Sequence, residues 1–182
     1  MKSLRRVFSI SSLLIIGGLA ACSDTPTKSP DVAGNIRQSL DQAGLKDVSV
    51  SQDRDKGVVT LTGTTASDAD KVQAESIAKS YAGAQVVSDQ IAVRPPGDES
   101  IAKKVDSDLD KGIEKNFDAV LVHHKLDRAV KYDVKNGVIT LNGKVNSQSK
   151  RAWVEKLATQ VPNVRQVVNE LEVKNQKATS SD

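Results

Sequence analysis

Lys56-Gly57-Val58-Val59-Thr60-Leu61-Thr62-Gly63 recurs 80 residues later as Asn136-Gly137-Val138-Ile139-Thr140-Leu141-Asn142-Gly143. The offset then holds without a gap to the end of both copies. Ser67 aligns with Ser147, Ala74 with Val154, Ala78 with Ala158, Ile91 with Leu171 and Val93 with Val173. The chain is a duplication, and a fixed repeat of one supersecondary unit decides the fold reading before any single residue does. Within the repeat, Val59 and Leu61, or Ile139 and Leu141, alternate with Thr at the two-residue period of a half-buried strand. Asp55-Lys56-Gly57 and Lys135-Asn136-Gly137 read as hairpin turns in which Gly supplies a positive φ. The partner strands are then Val48-Ser49-Val50 and Val130-Lys131-Tyr132-Asp133-Val134, with Gly63 and Gly143 ending the second strand of each pair.

Downstream, positions 74/77/78/81 and 154/157/158/161 form the i, i+3, i+4, i+7 stripe of an amphipathic helix. Ser67-Asp68-Ala69-Asp70 before the first stripe has the spacing of a capping box. A last strand follows, Val87 to Val93 and Val167 to Val173. Upstream, Val32, Ile36 and Leu40 match Ile101, Val105 and Leu109 at a spacing of 69, which predicts a first helix in each copy. Asp31 or Ser100 stands near its start as a candidate N-cap. The change of spacing from 69 to 80 implies an insertion of about 11 residues between helix and first strand of the second copy. The order predicts an α+β fold of two tandem αββαβ modules, each a three-stranded mixed sheet with two helices on one face. Modules of about 65–75 residues have marginal cores alone, and the two are expected to pack on each other.

The N-terminus carries a different message. Lys2, Arg5 and Arg6 precede an apolar stretch from Val7 to Leu19 that is too short to span a bilayer, the layout of a secretory signal. Its exit, Leu19-Ala20-Ala21-Cys22, resembles the lipobox of bacterial lipoproteins, which implies cleavage before Cys22 and its acylation, including a palmitate-type chain. Cys22 is the one cysteine in the chain, so no intramolecular disulfide competes for it. Ser23, a residue other than Asp at that position, implies by the same resemblance sorting to the periplasmic face of the outer membrane. The expected organisation is a signal peptide 1–21, a lipidated Cys and tether 22–30, module 1 at 31–93 and a Pro-Pro-Gly linker 94–97. Module 2 at 98–174 follows, with its insertion at about 110–127, then a tail 175–182. Removing the signal takes three of the 26 basic residues and leaves 23 against 23 acidic ones. A neutral mature chain argues against a general electrostatic grip on nucleic acid.

The repeated Gly57-x-Val59-x-Leu61-x-Gly63 and Gly137-x-Ile139-x-Leu141-x-Gly143-x-Val145 strands resemble the BON domain family of bacterial envelope proteins. The Ser-started helix and the Val-x-Asp/Asn-x-Ile/Leu-x-Val strand that follow each of them carry the same resemblance. With the lipobox, the chain is similar to tandem-BON outer-membrane lipoproteins and to osmotically induced periplasmic tandem-BON proteins. The resemblance implies an αββαβ fold, no enzymatic activity, and roles in envelope integrity and stress tolerance. In the lipoprotein branch it also implies recognition of anionic phospholipid through the first helix of the second module. Thr65 departs from the pattern where the second copy has Val145, and the insertion falls beside that helix.

Charge partition points to the same module. Residues 31–93 hold 6 basic and 9 acidic residues, and residues 98–175 hold 14 and 12. Lys103, Lys104, Lys111 and Lys115 lie on the first helix of module 2, and Lys104, Lys111 and Lys115 are spaced to share a face. Phe117 and Leu121 continue the step of four from Ile113. They are read either as an apolar tip beside the lysines, suited to a headgroup layer, or as core of this module. These six side chains are the candidate lipid- or partner-binding set, with membrane lipid or another envelope protein as partner. Trp153, off the helical stripe, is either half-buried packing or an outward contact.

No cofactor or metal is expected. His123 and His124 are the two histidines, and sequence neighbours point apart on a helix or strand. No catalytic residue emerges, because the carboxylates stand in charge-mixed runs with nothing to shift a pKa.

Overall fold

The computed structural model describes residues 28–174. The signal segment 1–21, Cys22 with the first part of its tether, and the tail 175–182 lie outside the described residues. Module 1 runs α1 (Ala33–Gln42), β1 (Val48–Asp53), β2 (Val58–Thr65), α2 (Asp68–Ala82), β3 (Val86–Asp89) and β4 (Ala92–Val93). Module 2 repeats the order as α3 (Glu99–His123), β5 (Val130–Lys135), β6 (Val138–Val145), α4 (Gln148–Thr159), β7 (Gln166–Asn169) and β8 (Glu172–Val173). Each sheet has the order β1-β2-β3 or β5-β6-β7, antiparallel in the first pair and parallel in the second. The last strand of each module is broken in two, and β4 and β8 rejoin β2 and β6 in parallel. The break is built by one side chain in each copy. Asp89 Oδ1 accepts from the Ile91 N–H at 3.1 Å, and Asn169 Oδ1 from the Leu171 N–H at 3.2 Å. Such short-range acceptance turns the chain for two residues and is what Asp and Asn do well.

The two hairpins differ by two residues. Lys135 pairs with Val138 across Asn136-Gly137, both at positive φ (49° and 77°), the geometry of a two-residue hairpin turn. Asp53 pairs with Val58 across a longer loop that ends on Gly57. Gly63 and Gly143 do not end their strands as expected. They sit inside β2 and β6 at φ 109° and 123°, each directly opposite the first residue of the neighbouring strand. Ser67 and Ser147 cap α2 and α4 by accepting the Asp70 and Lys150 N–H groups. Neither Asp31 nor Ser100 caps the first helices, whose N-cap positions are Val32 and Asp98. The start of α1 is satisfied from the sheet, since Gln52 Oε1 accepts from the Val32 and Ala33 N–H groups at 3.1 and 3.3 Å.

The sequence matching of the first helices is corrected by the packing. Ile36 and Leu40 of α1 are fully buried, and their counterparts in module 2 are Phe117 and Leu121, with Ile113 one step earlier. Leu45 follows Leu40 by five positions and Leu126 follows Leu121 by five, and the strands begin at Val48 and Val130, so module 2 has a single extra residue between helix and strand and not an eleven-residue insertion. The additional residues are an N-terminal extension of α3, which is continuous for 25 residues. A step of four advances about 40° around a helix. The stripe 101/105/109/113/117/121 therefore rotates from solvent toward the sheet, and only its last three members reach it.

Each module has its own core on the helix-bearing face of its sheet. A third, small cluster of Val58, Val138 and Val168 lies on the opposite faces and joins the modules back to back. The join is antiparallel and nearly two-fold. Lys56 of the first hairpin tip meets Glu170 at 2.5 Å, and Asn136 of the second tip donates to the Gln90 carbonyl at 2.7 Å. Gln166 adds a two-point contact, donating to the Val87 carbonyl at 2.7 Å and accepting from the Asp89 N–H at 3.0 Å.

Candidate functional site

The first half of α3 is the part of the molecule that no core requires. Two acidic side chains hold its inner face. Asp106 pairs with Arg94 at the end of β4, and the Asp110 carboxylate accepts from the Asn136 and Gly137 N–H groups at 2.8 Å each. With the inner face fixed, the outer face presents Ile101, Val105 and Leu109, which are 64%, 51% and 42% exposed. At about 100° per residue these three fall within a sector of about 80°. Three large aliphatic side chains in a row on an exposed helix are the informative kind of exception to burial.

The lysines are placed around this stripe unequally. Lys104, Lys111 and Lys115 project within about 40° of one another, on the flank of the stripe away from the sheet. Lys103 is turned about 100° from them and lines a groove toward module 1 with Asp106 and Asp110. Asp108 lies between the clustered lysines, 2.7 Å from Lys104 and 3.9 Å from Lys111. Its hydrogen bond to Lys104 raises the lysine pKa and lowers that of the carboxyl. Both groups are exposed, so the pair orders side chains more than it stabilises the fold.

Phe117 and Leu121 are not at the surface. They are 0% and 2% exposed and belong to the module 2 core. Of the two readings open for them, apolar tip or core, the structure shows the core, and the exposed apolar side chains in the first half of α3 are Ile101, Val105 and Leu109, the residues matched to α1 in sequence. The spacing from Leu121 to Leu126, read backward from the strand, was the signal that separated the two halves of the helix. Phe117 stacks edge-on against Tyr132 with ring centres 4.9 Å apart. The Tyr132 hydroxyl donates its one hydrogen to Asp118 Oδ1 at 2.7 Å, with the Glu114 carbonyl at 3.1 Å as a second acceptor within reach. Burial first, then the hydrogen bond and charge of Asp118, push the phenol pKa far above its ordinary value.

A pKa raised on folding contributes stability that is complete below the unfolded value, about 10, and is lost as the pH climbs past it. Alkaline titration should therefore show a phenolate signal that is missing through the ordinary range and emerges as the fold opens. In Tyr132→Phe that late step should be absent. A normal phenolate titration of both tyrosines in the folded chain would contradict this.

Beyond the C-terminal end of α3, Trp153 is half-buried against the core, edge-on to His124 at 4.9 Å and beneath Lys150 at 4.4 Å. His123 and His124 lie edge to edge at 4.8 Å. Among the described residues no group of three or more His, Cys, Asp or Glu is arranged to hold a metal ion. No described helix is long and apolar enough to cross a membrane. Lys71 and Asp89, 3.5 Å apart, are both largely buried, and burial is the main cause that lowers the Lys71 pKa. Their remaining bonds go to the backbone at the strand break, Lys71 donating to the Ile91 carbonyl at 2.7 Å.

Comparison with known proteins adds three findings. The model of the family described as BON domain matches residues 29–95 and again residues 97–175. Osmotically-inducible protein Y of Escherichia coli (strain K12) is 31% identical over 146 residues, covering 79% of this chain and 71% of that protein. Two structures of CdsD, a structural protein of the type III secretion system of Chlamydia trachomatis, align at 13% identity and a TM-score of 0.32. They cover 77% of this chain, which spans 66% and 62% of theirs, and at that score the likeness carries no argument.

Proposed function

The chain belongs to the BON domain family, and on that premise we propose that it is a non-enzymatic lipoprotein that supports the bacterial envelope under stress. In this reading it is held at the periplasmic face of the outer membrane by acylated Cys22, and its second module lays the outer face of α3 on anionic phospholipid. The observation that carries the lipid contact is the exposed stripe Ile101, Val105 and Leu109 beside Lys104, Lys111 and Lys115. An in-plane amphipathic helix binds a headgroup layer by burying its apolar face while lysines meet the lipid charge. The stress setting is supported by the likeness to the osmotically inducible protein of E. coli.

The mechanism is holding rather than chemistry. The fatty-acid anchor keeps module 2 near the bilayer at high effective concentration, so a weak patch suffices. Asp108 tempers the lysines and makes the apolar stripe the larger contribution. Vesicle flotation of the unlipidated chain from Ser23 onward tests the reading. Vesicles containing phosphatidylglycerol should carry the protein, and neutral phosphatidylcholine vesicles should carry much less. Val105→Glu with Leu109→Glu, and separately Lys104→Glu with Lys111→Glu and Lys115→Glu, should each weaken binding by tenfold or more, about 1.4 kcal/mol. Flotation that ignores both sets would remove the lipid contact. It would favour the second class of partner, an envelope protein docked without lipid.

A further inference from the structure

We infer that the back of module 2 is a self-complementary surface, and that the partner it fits besides module 1 is module 2 of a second copy of this chain. Its basis is the near two-fold join between the modules. A two-fold contact places equivalent positions opposite each other, so that i meets j and j meets i. Here Lys56 meets Glu170 while Asn136 meets Gln90, and each pair maps onto the other by the 80-residue offset. Val58 and Val138, also 80 apart, share one cluster, as side chains near such an axis must.

What module 2 grips on module 1 is mostly backbone. Gln166 holds the Val87 carbonyl and the Asp89 N–H, and Asn136 holds the Gln90 carbonyl. Module 2 has the same backbone groups in the same register at Val167, Asn169 and Glu170, because β7 pairs with β6 as β3 pairs with β2. The extended α3 makes one further side-chain contact, Asp106 with Arg94. The position 80 residues after Arg94 is Lys174, also basic, and its N–H is bonded to Val145 as that of Arg94 is to Thr65. The apolar part improves on self-pairing, since Val168 replaces buried Ser88.

Module 1 has no such symmetry. Val86 stands at the position of Gln166, and Lys56 at that of Asn136. Its hairpin tip needs the carboxylate of Glu170, where module 1 itself has Gln90. The Lys56–Glu170 pair is also the contact that a second module 2 does not reproduce. Together with the short linker, which makes the internal join effectively unimolecular, it keeps the native chain closed on itself.

Sedimentation analysis of the full-length unlipidated chain at micromolar concentration tests this asymmetry. Val58→Arg, which expels module 1 from the join, should convert a monomer to a dimer. Val138→Arg, at the equivalent position of module 2, should open the chain and leave it monomeric. Adding Gln166→Ala and Asn136→Ala to Val58→Arg should dissociate the dimer at least tenfold. Lys56→Glu, which sets like charges opposite Glu170, provides a second entry if Val58→Arg fails to fold, and should also give a dimer. Monomeric Val58→Arg and Lys56→Glu chains overturn the inference. So does equal dimerisation of Val58→Arg and Val138→Arg, or a dimer indifferent to Gln166 and Asn136.

Discussion

Gly63→Ala and Gly143→Ala are each expected to cost roughly 3 kcal/mol or more, enough to unfold the module that carries them. A methyl group at Gly63 would lie 2.0 Å from the Asp47 carbonyl oxygen, and one at Gly143 would lie 2.4 Å from that of Ala129. Both obstacles are backbone atoms of the residue just before the neighbouring strand of the hairpin, so no side chain can swing aside. The φ values of 109° and 123° add strain for any L side chain. Against a domain stability of about 5–15 kcal/mol, and a module at the small end of domain size, such a loss is decisive. Chemical denaturation followed by Trp153 fluorescence reads the effect of Gly143→Ala directly in module 2. Gly112→Ala is the control, since nothing lies within 4 Å of its added methyl. In a helix interior that change should stabilise by about 1 kcal/mol. Equal behaviour of Gly112→Ala and Gly143→Ala would show that close approach is not what these strands require.

Phe117→Ala should cost about 3–5 kcal/mol, whereas Ile101→Ala on the same helix should change stability by less than about 0.5 kcal/mol. Phe117 is fully buried among Ile113, Leu121, Val130 and Ile139, and its truncation leaves a cavity beside Tyr132. Ile101 touches no core and gives up mainly exposed surface. Thermal or urea denaturation of the two variants therefore maps which turns of α3 belong to the fold. A comparable loss at both positions would mean that the exposed stripe is structural, and the membrane reading of that surface would go with it.

The parts of the fold that were legible in the sequence are those fixed by local chemistry. The Asn136-Gly137 turn, the Ser67 and Ser147 caps and the alternation of Val59 with Leu61 need only near neighbours, and duplication displayed each of them twice. The family resemblance followed from the same pattern, whereas the back-to-back join of the modules became visible only in the structure. The pairing of α1 with the wrong half of α3 has a different origin. A stripe with a step of four looks alike along its whole length, and only the sheet decides which turns are covered. The candidate site was half legible for the same reason, since the lysines Lys104, Lys111 and Lys115 declared themselves by charge while their apolar companions did not. Gly63 was read as a strand end because its positive φ is visible in sequence only as a glycine, not as a close approach to Asp47. The grip of Gln52 on the start of α1, and of Gln166 on module 1, joins residues far apart in the chain. An amide side chain carries no mark of such a role.

Gln166 also has a consequence for solubility. In each sheet the outer strands leave a row of backbone groups unpaired, an invitation to foreign strands. On β3 two of those groups, the Val87 carbonyl and the Asp89 N–H, are taken by one glutamine amide that imitates a neighbouring strand, while β7 lies against the same edge. The β3 and β7 margins thereby lie beside each other. Of the remaining two, β5 bears outward Lys131, Asp133 and Lys135, the kind of charged fringe that discourages fibril-like stacking in a crowded compartment.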